Sequence, residues 1–220
     1  MSEPAPARGS TERVPVRKRR RRDALILDAL EVLLTETSLR ELGVEQIAER
    51  AGITRTRFYH YYKSKHDAYA ALLQRVGNSI FEVYELPGSW FHRPEDLRPL
   101  DAMRVTLRKV AEVWLEHGAV MREGADLWNT VPEARDLWHL MVGQLVQRMT
   151  RAIELERQRG VAPEGADAER LAYNLIWHGE RVLFLMLIDA PGAMTIDELV
   201  DLAAAVWMRA IYCADDPDLT

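Results

Sequence analysis

Residues 44–65 read Val-Glu-Gln-Ile-Ala-Glu-Arg-Ala-Gly-Ile-Thr-Arg-Thr-Arg-Phe-Tyr-His-Tyr-Tyr-Lys-Ser-Lys, and this stretch decides the fold. The apolar spacing around Ile47 gives a first short helix one buried face. Gly52 can adopt the left-handed conformation that ends a helix tightly, and Thr54 can cap the free N–H groups of the helix that follows. The stretch therefore predicts a helix-turn-helix, two short helices joined by a tight turn.

The second helix of this pair carries charge of one sign. Between Gly52 and Lys65 there are four Lys or Arg residues and no Asp or Glu. A short helix that exposes only cations is poorly suited to a protein core and well suited to phosphate groups. We therefore expect this helix to lie in the major groove of DNA.

The same stretch resembles the N-terminal domain of the TetR family of bacterial transcriptional regulators, over roughly residues 25–75. More weakly, the rest of the chain resembles one branch of that family, the ethionamide-resistance repressors of mycobacteria. The N-terminal likeness is carried by Ile47-Ala48, Ala51-Gly52-Ile53, Phe58-Tyr59-His60-Tyr61-Tyr62 and Ser64-Lys65. The C-terminal likeness is carried by Leu137-Trp138, Ala152-Ile153, Glu156-Arg157, Arg159-Gly160, Glu180-Arg181, Leu183-Phe184, Trp207 and Ile211-Tyr212.

The family resemblance implies a recognition helix from Arg55 to Tyr61. Its leading side chains would contact base edges, since Arg can form paired bonds to guanine and Thr can pack its methyl group on thymine. Polar and basic residues after them would hold phosphates, whereas Phe58 and Tyr62 would pack inside the domain. Gly43 departs from the family, which usually has Ser or Thr at that position. The predicted DNA-binding residues are Thr54, Arg55, Thr56, Arg57, Tyr59, His60, Lys63 and Lys65.

Charge is divided unequally along the 220 residues, whose net charge is −5. Residues 1–75 contain 15 Lys and Arg against 10 Asp and Glu, whereas residues 76–220 contain 14 against 24. A basic N-terminal part followed by an acidic part fits a DNA-binding protein whose second domain does not bind DNA.

Several other function classes find no support in the sequence. The longest apolar run, residues 182–188, is far shorter than the roughly 20 residues that span a bilayer, and the N-terminus is polar, so a cytoplasmic protein is expected. The single cysteine, Cys213, rules out an internal disulfide and a cysteine zinc site. No glycine loop, HExxH pattern or serine elbow indicates an enzyme, and neither a metal nor a cofactor is expected. A basic peripheral membrane protein acting through Arg17–Arg22 is the alternative outside DNA binding.

Helical periodicity and capping signals predict an all-α chain of about nine helices. Three capping patterns, in which Ser or Thr precedes an acidic residue by three positions, predict helix starts at Ser64, Thr130 and Thr195. The expected divisions are a disordered basic arm over 1–22, the helix-turn-helix domain over 23–68, and a ligand-binding and dimerisation domain over 69–220.

Tryptophan and methionine are concentrated in the C-terminal part. All six Trp and seven of the eight Met lie beyond residue 89. Large aromatics and flexible Met on several helices suit an apolar pocket, although ordinary core packing is the alternative for any one of them. The resemblance to the mycobacterial repressors implies that such residues line a ligand site. The predicted ligand-binding residues are Met103, Val110, Trp114, Trp138, Met141, Leu145, His178, Phe184 and Trp207.

The last two predicted helices have more apolar surface than one small bundle can cover. Residues 182–188 are apolar throughout, and apolar residues recur at helical spacing over 196–211. In TetR relatives the corresponding helices form a dimer interface, which implies that two DNA-binding domains meet successive major grooves. We therefore expect a homodimeric repressor that binds a double-stranded operator and is released by an apolar small molecule. An activator or a regulator without a ligand is the alternative.

Overall fold

The structure is a computed structural model that describes residues 16–128 and 130–214, with side chains from residue 22 onwards. These residues form nine α-helices and one short 3₁₀ helix. The α-helices are α1 (Val16–Leu34), α2 (Val44–Arg50), α3 (Arg55–Phe58), α4 (Lys65–Glu85), α5 (Pro99–Glu116), α6 (Gly118–Trp128), α7 (Pro132–Gln158), α8 (Ala168–Leu187) and α9 (Ile196–Tyr212). The 3₁₀ helix is Trp90–His92. The expected all-α fold is confirmed for these residues.

Helices α1 to α3 form a small head. Helix α1 packs on α2, and α2 packs on α3, around a core that includes the fully buried side chains of Ile26, Ile47 and Phe58. The Tyr62 hydroxyl donates a short hydrogen bond to Asp23 Oδ1, which ties the turn after α3 back to α1. Phe58 and Tyr62 therefore pack inside the head, as expected from the sequence.

Helix α4 connects the head to the remaining helices, because it packs on α1 and also on α5, α6 and α7. Its start has the expected cap, in which Ser64 Oγ accepts a hydrogen bond from the Asp67 N–H at 3.1 Å. Asp67 Oδ2 in turn accepts from the Lys63 N–H, also at 3.1 Å. The boundary expected at residues 68 and 69 falls inside this helix, and the division into domains stays a prediction.

Helices α5 to α9 form the body, in which α7 packs along α8 and α5 along α9. A buried polar network joins several elements at one place. Arg93 donates to both carboxylate oxygens of Glu156 at 2.9 and 2.8 Å, and the Tyr212 hydroxyl donates to Glu156 at 2.7 Å. Trp90 Nε1 donates to the Tyr212 hydroxyl at 2.8 Å. These bonds link the 3₁₀ helix and the residue after it to α7 and α9. Removing one partner of a buried ion pair typically costs about 3–5 kcal/mol.

The capping patterns expected at Thr130 and Thr195 have different outcomes. Thr195 Oγ1 accepts from the Glu198 N–H at 3.3 Å, and Glu198 Oε2 accepts from the Thr195 N–H at 2.8 Å, so α9 begins as predicted. The prediction at Thr130 is wrong, because α7 begins at Pro132 with the extended Val131 as its cap residue. A residue before proline is disfavoured in the helical conformation, so Val131 cannot be the first helical residue.

Two helix boundaries differ from those expected, and one helix is additional. Helix α1 begins at Val16, so the backbone of 16–22 is helical, and 1–15 lies outside the described residues. The recognition helix ends at Phe58, after which the chain continues in tight turns. Helix α6 was not expected as a separate element; a single residue, His117, separates it from α5.

Candidate nucleic-acid interface and ligand cavity

Seven of the eight predicted DNA-binding residues have exposed side chains on the head, Lys65 being the exception. Six of them lie on α3 and at the two ends of that helix, and we call these six the reading face. Four of the six line one open concavity, which is formed by Arg55, Thr56, Tyr59 and His60. The reading face consists of Thr54, Arg55, Thr56, Arg57, Tyr59 and His60.

Local structure explains why these side chains project from the head. Gly52 has a φ of +67°, a conformation that L side chains rarely adopt, and it turns the chain between α2 and α3. Thr54 Oγ1 accepts a hydrogen bond from the Arg57 N–H at 3.2 Å and so caps α3. Phe58 is the one buried residue of α3, and it anchors the helix in the core of the head. The other three residues of α3 are exposed.

Arg55 is held in place before any DNA arrives. Its guanidinium lies 2.6 Å from Glu45 Oε1 and 5.7 Å from the centre of the Tyr59 ring. A hydrogen bond with the Tyr59 side chain, and next the charge of Glu45, raise the pKa of Arg55. Arginine is always charged in proteins, and contact of Arg55 with a base or phosphate requires it to exchange Glu45 for the nucleic acid.

Lys65 is placed differently from the other predicted DNA-binding residues. Its ammonium group donates hydrogen bonds to the backbone carbonyls of Arg40 and Leu42, at 2.9 and 2.8 Å. These carbonyls belong to the segment between α1 and α2, so Lys65 fastens that segment to the start of α4. Phosphate binding by Lys65, which the family resemblance implies, would have to use its one remaining N–H.

An apolar cavity lies inside the body, and helices α4 to α9 all contribute to its wall. Its volume is about 70 Å³, which is room for a few waters. The lining residues are Ile80, Tyr84, Thr106, Leu107, Val110, Trp114, Met121, Trp138, Met141, Val142, Leu145, Ile176, Gly179, Glu180, Leu183 and Trp207.

Six of the nine predicted ligand-binding residues line this cavity: Val110, Trp114, Trp138, Met141, Leu145 and Trp207. Three do not. Met103 is fully buried elsewhere on α5. His178 lies behind the wall, where its Nδ1 accepts a hydrogen bond from Trp207 Nε1 at 3.3 Å. The ring of Phe184 lies under the guanidinium of Arg181, whose Cζ is 5.3 Å from the ring centre.

The prediction also missed lining residues for which the sequence holds a partial signal. Ile176, Glu180 and Leu183 recur at the spacing of one helix face, so α8 could have been recognised as a wall. Ile80 and Tyr84 carry the same kind of signal, because they lie four positions apart on one face of α4, which packs on α5 and α7.

Glu180 is the one acidic residue of the cavity wall. Its side chain is only 10% exposed, and its Oε2 has no hydrogen-bond partner. Burial raises the pKa of Glu180, while the nearby charge of Arg181 acts in the opposite direction.

Two cavity residues contact the helices that lead to the head. A Cβ atom at Gly77 of α4 would overlap the end of Met141, and one at Gly124 of α6 would lie 2.7 Å from Trp138 Cζ3. Helices α4 and α6 are also joined by the Tyr69 hydroxyl, which donates to the Val120 carbonyl at 2.8 Å. A displacement of Met141 therefore acts directly on α4, and a displacement of Trp138 acts directly on α6.

Neither a metal site nor a membrane-spanning helix is found within the described ranges. No group of three or more His, Cys, Asp or Glu residues there could hold a metal ion. In the same ranges, none of the helices is both long enough and apolar enough to cross a membrane.

Family comparisons connect both regions to known proteins. Residues 26–72 match the sequence profile described as bacterial regulatory proteins of the tetR family. Residues 103–213, half of the chain, match the profile described as the C-terminal domain of the transcriptional regulator EthR. The chain belongs to the TetR family. This family membership, and the EthR type of its C-terminal domain, confirm the resemblances found in the sequence.

Curated relatives of this TetR-family chain are transcriptional regulators rather than enzymes. The HTH-type transcriptional regulator EthR of Mycobacterium tuberculosis H37Rv is 29% identical over 191 residues, which cover 87% of each chain. EthR of Mycolicibacterium smegmatis is 28% identical over 195 residues, covering 87% of this chain and 86% of that one. The chain is thus a DNA-binding transcriptional regulator of the helix-turn-helix class.

Solved structures share the fold. A TetR-family regulator from Rhodococcus sp. superposes with a TM-score of 0.70 at 17% identity, covering 88% of this chain and 99% of that one. SmeT, the repressor of the Stenotrophomonas maltophilia multidrug efflux pump SmeDEF, gives a TM-score of 0.69 at 22% identity, covering 89% and 90% of the two chains. At these identities the likeness establishes the TetR fold alone.

Proposed function

We propose that this TetR-family regulator is a homodimeric repressor of the cytoplasm, and that an apolar small molecule in the cavity weakens its binding to an operator. The observation that carries the proposal is the contact of Trp138 and Met141, two cavity residues, with α6 and α4. Both helices also pack on α1 of the head. The cavity and the head therefore share two rigid elements through which a ligand can act.

The reading face supplies the DNA contacts. Arg57 and Thr56 are exposed at the start of the recognition helix, where they can reach base edges in the major groove. Arg55 reaches the same groove once it has left Glu45. Lys63, also exposed, adds a phosphate contact beside the reading face. Phosphate contacts of this kind make binding fall steeply as salt rises.

The size of the cavity supports a response to a ligand. Pockets for drug-sized ligands usually measure about 300–1,000 Å³, well above the space that the cavity offers here. A ligand therefore enters only if side chains of the wall move. Trp138 and Met141 stand on the sides facing α6 and α4, so their displacement pushes on the helices that hold the head.

Two polar contacts carry such a movement to the head. Burial raises the pKa of Glu123 on α6, and the Leu39 backbone N–H, in the segment between α1 and α2, acts in the opposite direction. His117, at the junction of α5 and α6, bonds Glu31 of α1 through its Nδ1. Because one contact lies on α6 and the other at the residue before it, a shift of α6 changes the orientation of the reading face. The ligand lowers operator affinity only as far as it prefers the shifted state.

Dimerisation through α8 and α9 brings two reading faces to one operator. Both helices expose large apolar side chains, and Leu202 is the most exposed of those on α9, at 54%. A second copy of the same surface is the natural cover, because most soluble oligomers are symmetric homodimers. The apolar side chains exposed on these two helices include Tyr173, Leu185, Leu202 and Val206.

The experiment measures binding of the full chain to labelled duplexes that tile its own upstream region, by fluorescence anisotropy. We expect one duplex to bind far more tightly than random DNA, and molecules extracted from the purified protein to release it. Leu145→Trp, which fills the cavity, should keep the DNA affinity and lose the release. Leu202→Glu should give a monomer in light scattering and weaken operator binding.

Three outcomes separate the parts of the proposal. Equal affinity for every duplex would contradict binding to a specific operator. Specific binding that no extracted molecule and no apolar compound changes would favour a regulator without a ligand. An upstream reporter that loses expression when the gene is deleted would make the protein an activator.

A further inference from the structure

The most unusual group of the cavity wall is the carboxylate of Glu180, because its Oε2 has no hydrogen-bond partner. Nine-tenths of its side chain is buried, and Oε2 accepts no hydrogen bond. The closest cation, Arg181 Nε, is 3.8 Å from Oε2, beyond hydrogen-bond distance, and the Arg181 side chain is 59% exposed to solvent. A buried acceptor without a hydrogen-bond partner is destabilising, and more so when it is charged. The site is therefore incomplete without a proton donor.

None of the donors of the wall bonds to this oxygen, although Tyr84, Trp114 and Trp138 carry O–H or N–H groups. The sixteen lining residues include no Lys, Arg or His. Thr106 lines the cavity too, but its hydroxyl already donates to the Ala102 carbonyl and accepts from the Trp90 N–H, each at 2.8 Å. Since no donor of the wall bonds to Oε2, a molecule bound in the cavity can supply one.

We infer that the ligand of this cavity is an apolar molecule with a basic amine, whose N–H bonds to the carboxylate of Glu180. This inference rests on the proposed function, since it names the chemical class of the same ligand. An ammonium group provides both the missing donor and the opposite charge, and charge-assisted hydrogen bonds are the stronger kind. The apolar part of the ligand lies against the Trp and Met side chains of the wall.

The same geometry selects against other polar ends. A carboxylate, as in a fatty acid, brings a second negative charge to Glu180 inside an apolar space, where like charges repel strongly. An alcohol can donate one hydrogen bond but brings no charge. With the apolar part kept constant, the order of affinity is amine, then alcohol, then carboxylate.

The test compares three probes with the same apolar part: phenylbutylamine, phenylbutanol and phenylbutyrate. Their binding to the full chain is measured by isothermal titration calorimetry at neutral pH. We expect the amine to bind at least about tenfold more tightly than the alcohol, a difference of about 1.4 kcal/mol, and the carboxylate to bind more weakly than both. In Glu180→Gln, which keeps the shape and removes the charge, the amine and the alcohol should bind within about twofold. Glu180→Met serves as a second variant, and thermal melting checks that both are folded.

The outcomes separate this inference from the proposed function. If the alcohol or the carboxylate binds the wild-type protein as tightly as the amine, the inference is overturned and the ligand cavity stands. An amine preference that survives in both folded variants also overturns it, because the preference then comes from another group. If no probe binds at millimolar concentration, the ligand cavity fails and the inference with it, whereas operator binding is measured separately.

Discussion

The reading face and the cavity are built in opposite ways. The reading face consists of six exposed side chains between Thr54 and His60, and contacts among neighbouring residues in the chain hold most of it in place. The cavity consists of sixteen mostly buried residues from six helices, spread from Ile80 to Trp207. A surface of the first kind can change without affecting the fold, whereas a wall of the second kind is also the core of the body. Substitutions in the reading face and in the cavity wall are thus under different physical constraints.

The largest expected effect is on folding, when the cavity wall loses Trp138. This side chain is 6% exposed and packs edge-on against Trp114, with ring centres 6.3 Å apart. Trp138→Ala should lower the free energy of unfolding by about 3–5 kcal/mol, measured by urea denaturation. The control is Tyr59→Ala on the reading face, where Tyr59 is 46% exposed. It should stay within about 0.5 kcal/mol of the wild-type protein. Equal destabilisation by the two substitutions would contradict the expected difference between the cavity wall and the reading face.

The next effect is on DNA, when the reading face loses Arg57. This side chain is exposed, and its own backbone N–H already caps α3 through Thr54, so its removal leaves the helix intact. Arg57→Ala should lower operator affinity about ten- to a hundredfold, the value of one good base contact, without moving the melting temperature. Arg135→Ala, an exposed arginine at the start of α7, is the matched control and should leave affinity unchanged. A loss of melting temperature in Arg57→Ala would give Arg57 a structural role.

Smaller effects on stability, one destabilising and one stabilising, are expected at two glycines of the body. A Cβ at Gly124 would lie 2.7 Å from Trp138 and 2.9 Å from the Tyr69 hydroxyl, whereas one at Gly143 would meet nothing within 4 Å. Gly124→Ala should destabilise the protein by about 1–3 kcal/mol, because overpacking outweighs the helix preference of alanine. Gly143→Ala should stabilise it by about 0.5–1 kcal/mol. Thermal melting measures both, and stabilisation by Gly124→Ala would show that α6 has room to move away from the cavity.

The smallest effect is expected from releasing Arg55. Its partner Glu45 is a surface residue 2.6 Å away, and such pairs contribute about 0.2–1 kcal/mol. Glu45→Gln should therefore raise affinity for both specific and random DNA by a few-fold at low salt, measured by anisotropy. The control is Glu36→Gln, which removes a more distant surface pair with Arg50, at 4.0 Å. Weaker binding by Glu45→Gln would mean that the pair positions Arg55 for the groove.

The accuracy of the sequence predictions follows the range of the interactions involved. The cap at Thr195 depends on residues three positions apart, and it forms as expected. The cap at Thr130 fails for an equally local reason, the proline two residues later, which a closer look at the sequence could have found. Lys65 was expected to face DNA, whereas the structure bonds it to carbonyls more than twenty positions away in the chain.

The cavity shows the same dependence on range. Trp114, Trp138 and Trp207 could be named in advance as wall residues because large aromatics are rare and the family resemblance pointed to them. Phe184 is a large aromatic too, so its residue type could not show that it lies outside the wall. It shares α8 with Ile176 and Leu183, which do line the cavity. Only packing separates side chains that face the cavity from those that face a neighbouring ring or solvent.

The amino-acid sequence alone determined the helix-turn-helix, the exposure of its cations and the family, because each depends on residue types at short fixed spacing. Tertiary structure decided the rest. It placed α4 and α6 against Met141 and Trp138, and it left Oε2 of Glu180 without a hydrogen-bond partner in a mostly apolar cavity wall. Helices that are far apart in the chain meet there, and side-chain packing between them is set by the whole core rather than by any one segment.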